Sequence, residues 1–291
     1  MGDQLCILSV HAHPDDESSK GAGTVAKYHD EGIHTVLVCC TDGAAGDVLN
    51  PAMDTDEVKA DIAAVRRQEL ARAAEIIGYD VVEWMGYRDS GMPDSEHNAD
   101  PRSFAQAPLD EAVGRLVEVI RREQPQVIIT YPENQEGYPH PDHLRVHEIT
   151  MVAWEAAGDP DRYPELGEPW QPSKLYYSMW SRNRFVSMHE KMLELGMESP
   201  FDDKWFDRPS QDHLITSRIE VGPYYLRRKN ALLAHATQVD PNSPFWFALP
   251  DDVAATVHPW EEYMLARTVL DVPDPVDEDD LFAGLRTSVR P

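Results

Sequence analysis

The sequence predicts an α/β fold: a Rossmann-like, doubly wound and mostly parallel sheet flanked by helices, with a smaller C-terminal α/β region. Three observations predict it. Short apolar runs alternate with amphipathic or small-residue stretches through the first half of the chain. Glycine and proline cluster between those units. Two polar turns follow strand-like runs, where ligand-binding loops of open α/β sheets lie.

The elements follow in order. Residues 5–10 (LCILSV) suit a parallel strand buried on both faces. A small-residue helix spans 19–30 and ends at Gly32. Residues 33–40 (IHTVLVCC) are a second strand, and 41–56 a loop broken by Gly43, Gly46, Asn50 and Pro51. One long helix covers 57–77, with Ile62, Val65, Leu70, Ala73 and Ile77 near helical spacing and Gly78 ending it. A third strand at 81–85 leads into an irregular stretch, 86–108. A helix at 109–123 stops before Pro125, and 126–131 (QVIITY) is the fourth strand. The loop PENQEGYP then opens a helix over 141–157. Right-handed crossovers join such units. In the second half, 174–180 reads as a strand, and 182–195, 223–234 and 260–269 as helices. The acidic, proline-containing tail 271–280 reads as mobile or loosely docked. A Rossmann-like core over 1–180 and a C-terminal region over 181–291 that completes its pocket are expected to form one continuous domain.

With 291 residues, 42% of them hydrophobic, a sizeable core is expected. No apolar run approaches the ~20 residues of a membrane span, and the N-terminus lacks the basic leader of a signal peptide. The net charge of −26 opposes partnership with nucleic acid or an anionic membrane. Cys6, Cys39 and Cys40 are odd in number and lie in strand-like runs, so they read as reduced core residues of a cytoplasmic protein. The sequence leaves self-association into a homo-oligomer open.

Two turns carry the chemistry: His11-Ala12-His13-Pro14-Asp15-Asp16-Glu17 and Tyr138-Pro139-His140-Pro141-Asp142-His143. One His-Pro-Asp turn is an ordinary helix cap. Two of them at the carboxyl ends of parallel strands share one rim and can converge. His and carboxylate donors suit a catalytic zinc ion, which takes three protein ligands and leaves a position open. Iron(II) accepts the same donors. Of two adjacent aspartates, one can bind the metal while the other accepts a proton. His147 stands four residues after His143, but Leu144 replaces the glutamate of a zincin helix, so His147 reads as a supporting or structural residue. No GxGxxG follows the first strand, which excludes a dinucleotide site there.

The pair AHPDDE and HPDH resembles the LmbE/PIG-L superfamily of zinc-dependent N-deacetylases. The segments HAHPDDESSKGAGT, GDVLNPAMD, YRDSGMP, ENQEGYPHPDH and AHATQVDP are similar to one actinobacterial branch, the amidases of mycothiol S-conjugates. The resemblance implies His13, Asp16 and His143 as zinc ligands and Asp15 as general base. It implies His140 as general acid or electrostatic stabiliser, held from behind by Asp142, and Tyr138 as a group polarising the amide carbonyl. In the expected reaction His140 is protonated. Arg66, Asp89 and Met92 are implied contacts to the sugar or inositol, and Lys20 stands where the deacetylase branch tends to carry serine. The implied substrate is a small thiol–sugar conjugate, cleaved to a mercapturic acid and glucosaminyl-inositol. Deacetylation of N-acetylglucosaminyl-inositol is the alternative on the same scaffold. Trp180, Phe245 and Trp246 are either core or the wall of an open side that admits varied S-linked groups.

Overall fold

The computed structural model describes residues 4–135 and 138–286, with backbone alone at 203 and 204. Met1 and Gly2 of the N-terminus, and Glu136 and Gly137 of the ENQEGYP segment, lie outside the described residues. Seven strands form one sheet: β1 (Cys6–His11), β2 (His34–Thr41), β3 (Val81–Tyr87), β4 (Val127–Thr130), β5 (Lys174–Met179), β6 (Ser217–Glu220) and β7 (Trp260–Thr268). Their order is β3-β2-β1-β4-β5-β7-β6. Pairings among β1 to β5 are all parallel, and β7 runs antiparallel to both β5 and β6. The chain leaves β1 toward β2 on one side and returns to β4 on the other. The crevice between the ends of β1 and β4 is therefore the switch point at which open α/β sheets bind ligands.

Eleven α-helices surround the sheet among the described residues: α1 (Asp16–Ser19), α2 (Ala22–Asp30), α3 (Asp56–Ala60), α4 (Ile62–Ile77), α5 (Leu109–Glu123), α6 (Pro141–Ala157), α7 (Arg182–Glu194), α8 (Asp203–Phe206), α9 (Tyr225–Ala234), α10 (Pro244–Phe247) and α11 (Asp251–Val257). None is long and apolar enough to cross a membrane. β1 and β4 are buried along their whole length, as expected of strands covered on both faces. Leu8, Val10, Val36, Val38 and Ile128 pack under α5 and α6, while Ile7, Val127 and Ile129 join Tyr176 and Tyr263 on another buried cluster. Each such side chain contributes about 1.5–3 kcal/mol when fully buried.

Four expectations are corrected. The helix expected over 19–30 is two pieces, α1 and α2, separated by Gly21 at φ 109. The helix expected over 57–77 is interrupted at Asp61, which leaves helical geometry and caps α4 by accepting from the Ala64 N–H at 3.2 Å. The helix expected over 260–269 is instead a strand, β7 (Trp260–Thr268), inserted between β5 and β6. The tail is docked: Glu278 pairs its backbone with Thr216 and Arg218, and its carboxylate meets Lys174 Nζ at 2.6 Å. Leu281 and Phe282 beyond it are fully buried.

Candidate metal centre

Both His-Pro-Asp turns leave the sheet at the switch point. In the first, α1 opens at Asp16, while Asp15 before it sits at φ 125 and ψ −23. That backbone region costs a non-glycine residue about 1–3 kcal/mol and persists only where the surroundings enforce it. The enforcing contacts are identifiable. Glu17 accepts the Asp15 N–H at 2.9 Å, and Arg66 Nη2 donates to the Pro14 carbonyl at 2.5 Å and to Asp15 Oδ2 at 3.1 Å. Arg66 comes from α4 and also donates to the Gly43 carbonyl at 2.5 Å. Gly43 lies at φ +65, and a Cβ there would stand 2.5 Å from Arg66 Nη1. Glu17 in turn is paired with His235 at 2.7 Å, both residues being fully buried.

The second turn is regular. His140 is the N-cap of α6, its Nδ1 accepting the Asp142 N–H at 3.2 Å, and Pro141 takes the first helical position. One helical turn then brings His143 back over the first turn.

Asp16 Oδ2 lies 3.4 Å from His13 Nδ1 and 3.4 Å from His143 Nε2. His13, Asp16 and His143 are all buried, and their ligand atoms lie within 4.8 Å of one another. Ligands 2.0–2.1 Å from one tetrahedral ion are separated by roughly 3.3–3.4 Å, so the spacing of Asp16 from each histidine suits a zinc-sized ion. Each histidine has its other nitrogen engaged, as metal-bound imidazoles do. His13 Nε2 meets Asp142 Oδ2 at 3.2 Å, and His143 Nδ1 meets Gln135 Oε1 at 3.4 Å. Asp16 Oδ1 is held by Lys20 Nζ at 2.6 Å. A second cluster, His13, Asp89, His140 and Asp142, shares His13. Its carboxylates are already committed: Asp142 accepts from the Ser90 N–H at 2.9 Å and from its hydroxyl, and Asp89 accepts from the Gly91 N–H at 2.8 Å and the Ala45 N–H at 3.2 Å. It therefore supports the first cluster from behind.

The electrostatics follow from burial among carboxylates. Burial opposes charge on His13, but Asp142, Asp16 and Asp89 outweigh it and raise its proton affinity well above the ordinary value. The site thus draws positive charge. Burial pushes His143 down to about 4, which keeps its imidazole neutral and able to ligate. Burial also raises Asp15, with Arg66 opposing and Asp16 adding to the effect. His140 is lowered by burial and by His13, against Asp142, Asp89 and Asp16. With Nδ1 accepting, the neutral ring carries its proton on Nε2.

Two expectations change here. The Asp142 carboxylate grips His13 and Ser90; what meets His140 is the Asp142 backbone N–H. His140 is favoured as a neutral donor because burial disfavours its protonated form. Tyr138 is 53% exposed on the lip, with its ring 5.9 Å from that of His140 and 5.5 Å from that of His143. Lys20, Arg66 and Asp89 lie in the wall of the centre, whereas Met92 is 46% exposed. His147 is turned to the backbone, its Nδ1 meeting the Tyr131 carbonyl at 3.0 Å. Sequence reasoning missed Glu17, Ser90, Tyr131, Gln135 and His235. Tyr131 stacks on His143 at 4.5 Å and meets His11 Nδ1 at 3.1 Å. All but Tyr131 lie inside segments already singled out, so the signal was position within a motif without an assigned partner.

A doubly wound sheet with a buried His/Asp group at its switch point defines an α/β enzyme whose centre can hold a metal ion. Residues 8–154 match the family model PIG-L, described as GlcNAc-PI de-N-acetylase. The chain is 44% identical to the mycothiol S-conjugate amidase of Streptomyces coelicolor, over 98% of this chain and 99% of that one. It is 40% identical to the 1D-myo-inositol 2-acetamido-2-deoxy-alpha-D-glucopyranoside deacetylase of Geodermatophilus obscurus, over 96% and 97%. In fold it is similar to the N,N'-diacetylchitobiose deacetylase from Pyrococcus horikoshii, with a TM-score of 0.62 at 18% identity over 90% of this chain and 84% of that one. The chain belongs to the PIG-L family and is a hydrolytic enzyme.

Proposed function

We propose that the chain is a zinc-dependent amidase of mycothiol S-conjugates, releasing a mercapturic acid and glucosaminyl-inositol. The observation that carries the reading is the convergence of His13 Nδ1, Asp16 Oδ2 and His143 Nε2 beside Asp15, in a chain similar from end to end to an amidase of that name. Those three residues would hold the ion, for which iron(II) is the other candidate. When bound, it supplies Lewis acidity toward the amide carbonyl and the attacking water.

The chain's own groups do the rest. Asp15, raised by burial, accepts the proton of the attacking water on its carboxylate. His140 donates its Nε2 proton toward the carbonyl oxygen as negative charge develops there, or to the departing amine nitrogen. Tyr138 reaches the same oxygen from the lip through its hydroxyl. Lys20 and Arg66 position Asp16 and Asp15, while Asp89 and Met92 contact the sugar or inositol. The substrate is a small molecule, with no nucleic-acid or membrane partner. The buried, unpaired cysteines support a cytoplasmic setting.

Lys20, which pairs with Asp16 at 2.6 Å, resembles the amidase branch at that position. The 40% identical relative keeps deacetylation of N-acetylglucosaminyl-inositol as the second reading. Assay of both substrates side by side, with a chelator and with zinc restored, tests the proposal. The S-conjugate should show the higher kcat/KM and its cleavage should depend on the metal. The reverse order of substrates would establish the deacetylase instead.

A further inference from the structure

Beyond the end of β5, two basic groups lie near Trp180. Lys20 Nζ, bound to Asp16, lies 5.8 Å from the Trp180 ring. The Arg184 guanidinium lies 5.4 Å from it. There a pocket opens, walled by Trp180, Phe245 and Trp246 and lined by Arg184, Tyr225 and Arg228. The three aromatic rings meet one another with centroids 4.8–6.3 Å apart.

The polar groups of this pocket are incompletely matched. Nε and Nη2 of Arg228 and the hydroxyl of Tyr225 are buried with no hydrogen-bond partner among the described residues. Nε–H and Nη2–H point the same way and form the edge of guanidinium that grips a carboxylate with two parallel bonds. A buried guanidinium left so is costly unless something pairs with it. The neighbouring carboxylate, Glu261, is spent on the Gly23 N–H at 3.1 Å and the Thr24 N–H at 2.8 Å, where it caps α2. Burial and the nearby Arg228 push Arg184 down to about 9, even with Glu261 and Glu262 opposing. Two guanidiniums thus face an aromatic enclosure, and the Nε–Nη2 edge of Arg228 is left without a hydrogen-bond partner among the described residues.

We propose that this pocket is a subsite for a carboxylate on an aromatic or apolar body, carried by the substrate on its sulfur and gripped by Arg228 with Tyr225 and Arg184. The identity of the source rests on the amidase reading; the chemistry of the pocket does not. S-conjugates with acidic aromatic substituents are then preferred over neutral ones of the same size.

Two experiments on the zinc-loaded protein test this. In the first, benzoate, benzamide and sulfate are titrated while tryptophan fluorescence is followed, since Trp180 and Trp246 wall the pocket. Benzoate should bind saturably, with benzamide and sulfate each weaker by roughly 10-fold or more, and Arg228→Gln should weaken benzoate by roughly 10–100-fold. Equal binding of benzoate and benzamide, or of benzoate to wild type and Arg228→Gln, overturns the subsite; benzoate on the metal itself would give that second result. Should Arg228→Gln lose its fold by circular dichroism, Tyr225→Phe takes its place, with a smaller loss of benzoate affinity expected and no loss counting against the subsite. In the second, kcat/KM is compared for S-benzyl and S-(4-carboxybenzyl) conjugates. Preference for the acid over S-benzyl that disappears in Arg228→Gln supports the assignment; equal rates in wild type overturn the substrate as its source. If neither conjugate is cleaved, the amidase reading fails, and benzoate binding still decides whether the pocket takes carboxylates.

Discussion

The two turns that build the centre hold their residues by different means. The turn at His140 is the start of a long helix: N-cap, proline at the first position, then a regular turn that delivers His143. Its geometry is local, and the helix alone suffices to set it. The turn at His13 is held from elsewhere, by Arg66 from α4, by Glu17 and, through Glu17, by His235 from beyond α9. Of the two turns, only this one contains a strained residue, Asp15, which is the residue proposed above to move a proton. A ligand tolerates delivery by a standard element, since the ion completes its alignment. A base that must stay off the ion yet beside it needs its backbone fixed by remote groups.

The sharpest break comes at His143, the proposed ligand of the regular turn. His143→Ala should remove one of three donors and abolish stoichiometric metal binding, and amide hydrolysis should fall by more than the ~10²–10⁴ that one proton-transfer group supplies. Metal analysis after dialysis checks it; one tightly held zinc per chain would remove His143 from the ligand set. Asp15→Asn should separate the turns' roles. Its metal content stays near one per chain while kcat drops by about 10²–10⁴. Near-normal turnover would show that the strained residue is not the base. Asp142→Asn tests the link between the turns, because the Asp142 carboxylate sits on His13 at 3.2 Å. Loss of such a support typically costs 10–100-fold in metal affinity or activity, so a chelator competition should shift by about that factor. An unchanged competition curve would leave Asp142 as a partner of Ser90 alone.

The same contrast governs what could be read in the sequence. The helices α5 and α6 have the expected bounds, 109–123 and 141–157, because their ends are set by local residues: Pro125 after one, His140 and Pro141 before the other. The two His-Pro-Asp turns were legible as well, standing next to parallel strands. What was lost depends on distant partners. Residues 260–269 show no strand alternation, since Glu261, Glu262 and Tyr263 are all buried in succession. Glu261 is matched there by the N–H groups of α2, which it caps from 237 and 238 residues away. The acidic tail appeared free for want of a visible counterion, yet Lys174 and the Tyr176 hydroxyl bind Glu278 in the fold. His235 and Glu17 belong to this second kind, which is why the brace behind Asp15 was not foreseen.

That brace should also respond to pH. His235 is raised above its ordinary value by Glu17, although burial opposes the shift, and Glu17 is lowered chiefly by His235 against its own burial. A raised histidine contributes stability that is complete below its unfolded value of about 6.5 and fades as pH climbs through the folded one. A lowered glutamate contributes above about 4.3 and loses its share as pH falls through its depressed folded value. The pair is therefore at full strength between about pH 4.5 and 6.5, and its weak side within the working range is alkaline. In His235→Gln the glutamine amide can still donate to Glu17 but carries no titrating charge. The melting temperature of the variant should thus sit below wild type near pH 6, and the gap should narrow as pH rises past His235's folded value. Hydrogen exchange at the Asp15 amide, bound by Glu17, should accelerate over that same alkaline limb in wild type beyond the intrinsic pH dependence and follow only that dependence in the variant. A gap in melting temperature that is constant from pH 6 to 9 would mean that packing alone, without the charge, holds the strained turn in place.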